Sequence, residues 1–259
     1  MKMTMMEFTK DNDLLIVPDV HGRSFWREPV VQGDYSHVVF LGDYIDPYPH
    51  EYIDTHEALE VFREIVAFAS DHPEKVTLLL GNHDMHYVSP LYSSIAKSSR
   101  YCYDMLAPMC EIYESHKKLF SLAYAASYES VPCLFTHAGV SMIWMDEHRD
   151  LMGEQASDDA AGIADIINSL GDSDKGLLAL GDVGYVRGGW AAAGSPMWAD
   201  YYEVAVTAPE SGPSALPYQI FGHTQTGTSK PIINRYLACL DCHRTFFLNE
   251  VLTKAGILE

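Results

Sequence analysis

Three features of the sequence predict an α/β fold with a largely parallel sheet. Short apolar runs recur along the chain, a segment of helical period separates two of them, and each run stops at a glycine or polar turn carrying Asp, Asn or His. Leu14–Val17, stopped by Pro18, reads as the first buried strand. His37–Leu41 is the second, ending in Gly42-Asp43. Asp54-Thr55-His56-Glu57 resembles a capping box, and Ala58, Leu59, Phe62, Ile65, Val66 and Ala69 then repeat at helical spacing before Pro73. Val76–Leu80 is the third strand, ending in Gly81-Asn82. Strand, helix and strand therefore alternate, as a parallel sheet requires.

Leu91–Tyr128 reads as mostly helical, with an aromatic stripe through Tyr101, Tyr113, Phe120 and Tyr124 that belongs to packing. Val131–Thr136 is the fourth strand, ending at His137. Asp146–Gly171 is acidic and helical in pattern, and Leu178–Tyr218 is rich in loop formers, among them Gly188, Gly189, Pro196, Gly212 and Pro213. Tyr218–Phe221 is the fifth strand, ending in Gly222-His223. Ile232–Leu240 and Arg244–Leu248 read as a closing pair of strands. The organisation expected is one domain over residues 1–259, with a helical insert near 91–128 and a loop-rich insert near 178–217. Asp172-Ser173-Asp174-Lys175-Gly176 lacks the ligands of a calcium loop and reads as a solvated turn or helix cap.

The chain has 259 residues, 47% of them apolar, which is enough for a real core. Lys and Arg number 17 against 36 Asp and Glu, a formal net charge of −19. That field repels nucleic-acid phosphates and argues against a broad nucleic-acid footprint. It leaves room for a small anionic substrate, because bound cations invert the local field. No apolar stretch is long enough to span a bilayer, and Met1–Asp13 has no secretory pattern. Five cysteines, an odd number, point to reduced thiols in a cytoplasm, with Cys239 and Cys242 as buried or edge thiols.

The strand ends carry the chemistry. Asp19-Val20-His21-Gly22, Gly42-Asp43-Tyr44-Ile45-Asp46, Gly81-Asn82-His83-Asp84, Thr136-His137-Ala138-Gly139 and Gly222-His223-Thr224-Gln225 each follow a strand, so their donors are expected to converge on one sheet edge. Asp19 and His21, two apart, point the same way. A carboxylate such as Asp43 can bridge two cations. The division expected gives one metal Asp19, His21 and Asp43, and a second Asp43, Asn82, His137 and His223, at about 3.5–4 Å separation. A water held between them becomes a nucleophile near neutral pH. His83 is placed to protonate a leaving alkoxide, with Asp46 holding its ring cationic. Singly, Asp19 could be a helix cap, Asn82 a turn residue and His137 a core histidine. Five such accidents at five strand ends are a poor account.

These residues resemble the calcineurin-like metallophosphoesterase superfamily, whose signature runs Asp-x-His, Gly-Asp-x-x-Asp, Gly-Asn-His-Asp/Glu, a later His, and Gly-His. The resemblance spans Asp19 to Gln225, and the first two motifs look most like the serine/threonine phosphoprotein phosphatase branch, which includes bacterial diadenosine tetraphosphate hydrolases. It implies a four-layer α/β/β/α sandwich with mixed sheets, a centre of two divalent ions (manganese, iron or zinc), and phosphoester hydrolysis by metal-held hydroxide. Two departures stand out. The branch continues Asp-Arg-Gly after the second motif, where this chain has Asp46-Pro47-Tyr48, so the phosphate clamp is expected from Arg187 or Arg23, with surface ion pairing the alternative for each. Gln225 stands where many members carry a second His, as a weak amide ligand or a place left to water.

The reading favoured is a phosphomonoesterase acting on a phosphoprotein or a small phosphorylated metabolite. A dinucleoside polyphosphate hydrolase is the alternative enzyme, and a scaffold that has lost catalysis is the third.

Overall fold

The computed structural model describes residues 5–153, 159–206, 216–227 and 229–258. Gly212 and Pro213 of the loop-rich segment lie outside the described residues. Among the described residues eleven strands form two sheets: β1 (Met6–Phe8), β2 (Leu14–Val17), β3 (His37–Phe40), β4 (Val76–Leu79), β5 (Phe120–Ser121), β6 (Ala123–Tyr128), β7 (Val131–Thr136), β8 (Tyr218–Phe221), β9 (Ile232–Ile233), β10 (Leu237–Cys239) and β11 (Phe246–Phe247). One sheet runs β11-β2-β3-β4-β5, with its middle pairs parallel; the other runs β1-β6-β7-β8-β10-β9 and is mixed.

The two faces of each sheet follow from the period of two along a strand. Leu14, Ile16, Val39, Leu41 and Leu79 share a core with Tyr124, Ala126, Tyr128, Phe135 and Ile220, and this apolar layer holds the sheets face to face. Leu15, Val17, Val38 and Phe40 face the other way and pack with Phe62 and Ile65 of the helix Thr55–Asp71. The helix Ala160–Leu170 packs on β6 and β7. The result is an α/β/β/α sandwich. The long helix begins as its sequence indicates, with the Asp54 side chain accepting from His56 N. Ser173 caps the helix Asp174–Leu180, as expected of that acidic turn.

Three expectations fail. Residues 120–121 and 123–128 are strands, not the end of a helical insert, and only Pro90–Ile95 and Leu106–Ser115 of that region are α-helical. Phe120, Tyr124 and Tyr128 recur every four residues, but Tyr124, Ala126 and Tyr128 face one core while Ala123 and Ala125 face the other. A strand buried on both sides hides its alternation in composition. Residues 232–240 and 244–248 are not a closing pair: β9 turns back on β10, whereas β11 pairs with β2 in the opposite sheet, followed by the helix Leu248–Lys254. Last, the donor-bearing strand ends come from both sheets, not from one edge of a single sheet.

Candidate metal centre

Asp19, His21, Asp43, Asn82, His137 and His223 are all buried, none more than 8% exposed. They meet at the carboxyl ends of β2, β3 and β4 in one sheet and β7 and β8 in the other. Donor atoms of Asp19, His21 and Asp43 cluster within 4.8 Å of one another, and so do those of Asp43, His137 and His223. Asp43 belongs to both groups. His21 Nε2 lies 3.4 Å and His137 Nε2 3.5 Å from Asp43 Oδ2. Asn82 Oδ1 stands 3.0 Å from His137 Nε2.

The backbone is bent to achieve this. His21, Asp43, Asp46 and His223 all have positive φ, at 46°, 55°, 59° and 62°. Such conformations are costly outside glycine and persist where surrounding structure enforces them. Gly222 is required by proximity: a Cβ there would lie 2.0 Å from Asp19 Oδ2. Asp84 braces the loop from below, its carboxylate accepting from the backbone N–H groups of Asp43, Tyr44 and Gly81 at 2.7, 3.2 and 2.7 Å.

Each imidazole is aimed by its second nitrogen. His21 Nδ1 donates to Ile45 O and His137 Nδ1 to Leu41 O, both at 2.8 Å, which turns each Nε2 lone pair inward. His137 Nε2 therefore faces Asn82 Oδ1, an Asp43 oxygen and, at 3.1 Å, His223 Nδ1. These are acceptors confronting acceptors in a buried space. Burial pushes the Asp43 carboxyl well above its ordinary range, with repulsion from Asp19 adding to it. Burial and then neighbouring cationic groups hold His21 and His223 well below theirs. Hard oxygens and borderline imidazoles around a shared carboxylate suit divalent cations, which would convert these repulsions into coordination. The buried Asp and His groups fit a binuclear metal centre.

Beside this centre lies a third cluster. Asp46 accepts from His83 Nδ1 at 2.8 Å, His86 Nε2 at 2.9 Å and Tyr87 OH at 2.7 Å. His86 is buried and orders Asp46. It stands one helical turn from His83 on the helix Asn82–Val88, and that spacing was the available signal. The expectation that Asp46 keeps His83 cationic does not fit this arrangement. Burial outweighs the Asp46 hydrogen bond, and with Arg100 beside it the ring is pushed down to about 4.

Arg100 is the residue that sequence reasoning missed. Its guanidinium donates to His83 Nε2 at 2.9 Å and to the Asp46 carbonyl, and stacks 3.7 Å over the Tyr48 ring. A lone Arg in Lys97-Ser98-Ser99-Arg100 carried no motif that could reveal it. Arg187 also borders the centre, bonding Thr224 Oγ1 at 2.7 Å and His223 O at 3.4 Å while paired to Asp200. Arg23 is buried, with Nε on Glu51 at 2.8 Å and an amino group on the Asp19 carbonyl. Gln225 is exposed, unlike every other expected donor.

A family model for the calcineurin-like phosphoesterases matches residues 14–225, well over half of the chain. The chain belongs to the calcineurin-like phosphoesterase family. Like the family, it is a metal-dependent phosphoester hydrolase, and its sheets and flanking helices form that family's sandwich. Two solved structures are similar to this family member. One is a protein serine/threonine phosphatase from Saccharomyces cerevisiae with similarity to human phosphatase PP5, at a TM-score of 0.49 and 15% identity, covering 91% of this chain and 70% of that one. The other is the phosphatase domain of the Legionella effector WipB, at a TM-score of 0.31 and 15% identity, covering 55% of this chain and 51% of that one. The comparison with curated proteins returned no match. No helix among the described residues is long and apolar enough to cross a membrane.

Proposed function

We propose that this calcineurin-like phosphoesterase is a phosphomonoesterase of the serine/threonine phosphatase type, acting on a phosphoprotein or a small phosphorylated metabolite. The observation that carries it is the Asp43 carboxylate, shared by two buried donor groups with the His83–Asp46 pair beside them. Asp19, His21 and Asp43 would hold one ion, and Asp43, Asn82, His137 and His223 the other; manganese, iron and zinc all suit this mixed set. Two such ions supply an activated water and neutralise phosphoryl charge.

The chain's own groups do the rest. Arg100, resting on Tyr48, is the leading cation for the phosphate oxygens, because its guanidinium is aimed at the centre by a neutral imidazole rather than a carboxylate. Arg187 is the second, and Arg23, tied to Glu51, the third. A phosphate dianion would draw Arg100 away from His83 Nε2 and bring negative charge near the ring. Both changes raise its proton affinity, so His83 becomes competent to protonate the leaving oxygen while Asp46 fixes its other nitrogen. A groove of about 560 Å³ lined by Ser98, Arg187 and Trp198 adjoins the centre and offers room for the rest of the substrate.

The test is hydrolysis by metal-stripped full-length protein reconstituted with Mn²⁺, using p-nitrophenyl phosphate, its bis-ester, a phosphopeptide panel and diadenosine tetraphosphate. The expected result is a higher kcat/KM for monoesters than for the bis-ester and the dinucleotide. A preference for diadenosine tetraphosphate would replace this reading with the polyphosphate hydrolase. No turnover of any substrate, despite tight metal uptake, would leave a scaffold.

A further inference from the structure

The strand register brings one more acid to the edge where the donors gather. β10 runs parallel to β8 with Cys239 opposite Phe221. Two residues beyond Phe221 stands His223, and two residues beyond Cys239 stands Asp241. Continued past the strands, that register sets Asp241 level with His223. The backbone holds the two loops together there, with Leu240 N donating to Phe221 O at 2.8 Å and Thr226 N to Asp241 O at 3.3 Å. Among the sandwich strands that run toward the centre, β10 thus ends as β2, β3, β4, β7 and β8 do, in a metal-ligating type of side chain.

Asp241 is 2% exposed, and among the described residues neither of its carboxylate oxygens has a hydrogen-bond partner. A buried acid without a partner is among the least favourable arrangements a fold can keep. Its charged surroundings are Asp19, Arg23, Asp43 and Arg100; burial and then repulsion from Asp19 push its carboxyl well above the ordinary range. The two arginines do not satisfy it. Arg23 uses Nε on Glu51 and one amino group on the carbonyls of Asp19 and Val20, its other amino group stays buried without bonding Asp241, and Arg100 is engaged by His83 and the Asp46 carbonyl. Asp19, the larger source of repulsion, is itself a member of the first donor group. A divalent cation on that side would turn the mutual repulsion of Asp19 and Asp241 into shared attraction.

We infer that Asp241 is a further carboxylate of the metal centre, on the Asp19 side, where its charge helps hold the cation. The inference rests on the binuclear reading above. It has a structural rival, a neutral protonated acid that merely fills the loop.

The two are separated by Mn²⁺ titration calorimetry and thermal unfolding of full-length protein, stripped and loaded, comparing wild type with Asp241→Asn and the smaller Asp241→Ser. Wild type is expected to bind two ions. Asp241→Asn should weaken one of the two binding steps by about 10- to 100-fold. Its stripped form should melt at or above the wild-type temperature, because a buried unpartnered acid has gone, while the rise in Tm on adding Mn²⁺ should shrink. Unchanged affinity at both steps overturns the inference and leaves the binuclear centre standing. So does a stripped variant that loses as much stability as the loaded one, or that fails to fold in both substitutions, since Asp241 would then be structural. Wild-type protein that binds fewer than two ions overturns the binuclear reading itself, before either variant is consulted.

Discussion

Asp43 reaches two groups of donors with one carboxylate because its backbone is left-handed at φ 55° and its N–H is pinned to Asp84. Around it, the identity of single atoms decides the chemistry. Arg100 touches His83 Nε2 rather than an acid, so its charge is free to meet an incoming anion. Arg100→Ala should raise KM for a phosphomonoester by about 10- to 100-fold while leaving Mn²⁺ uptake intact, the loss expected of a charge-assisted hydrogen bond. Arg100→Lys should recover part of it, since an ammonium lacks the planar fork and stacks poorly on Tyr48. An unaltered KM in the Ala variant would remove Arg100 from the substrate site. His83→Ala should slow turnover of alkyl phosphates by about 10²- to 10⁴-fold and of p-nitrophenyl phosphate much less, because a good leaving group needs no proton. Equal losses for both would contradict the acid role.

At the level of elements, the turns matter more than the strands they end. Gly42 has φ +100°, and a Cβ there would lie 2.4 Å from Gly81 N. The loops after β3 and β4 can therefore lie side by side only if that position has no side chain, and this closeness lets His83 N donate to Asp43 Oδ1 at 2.9 Å. Gly42→Ala should cost about 2–4 kcal/mol in denaturant unfolding of the stripped protein, from conformational strain and overlap together. A cost below about 0.5 kcal/mol would mean that the two loops part easily. The helix Asn82–Val88 works similarly: starting at the ligand-bearing turn, it carries His83, His86 and Tyr87 toward Asp46.

Across the whole molecule, buried ionisable groups make stability depend on pH. Burial pushes His37, in the sheet interior and bonded to Thr77 Oγ1, from 6.5 down to about 4. A depressed imidazole takes a proton in the unfolded chain before it does in the folded one. Its stabilising contribution is complete above 6.5 and is lost as pH falls toward 4, by about 3 kcal/mol. Titration of unfolding free energy from pH 7 to 4 should therefore show a steep acid limb that His37→Gln flattens; an identical limb in the variant would assign it elsewhere. His21 and His223 act in the same sense, and the raised Asp43 in the opposite one, being least comfortable at neutral and higher pH.

Read alone, the sequence determined the strands at 14–17, 131–136 and 218–221, the capped helix after Asp54, and six donor-type side chains, Asp19, His21, Asp43, Asn82, His137 and His223, that prove buried together. It could do so because local apolar runs and turn chemistry are written in neighbouring residues. Only the tertiary structure decided that two sheets share the centre, that Tyr124 lies in a strand, that Arg100 and His86 stand beside the donors, and that Asp241 is buried under the influence of Asp19 and Asp43. Those placements depend on contacts between residues far apart in the chain, such as the 54 positions that separate Arg100 from Asp46. No local pattern encodes which distant surface a side chain will meet; packing of the assembled layers selects it.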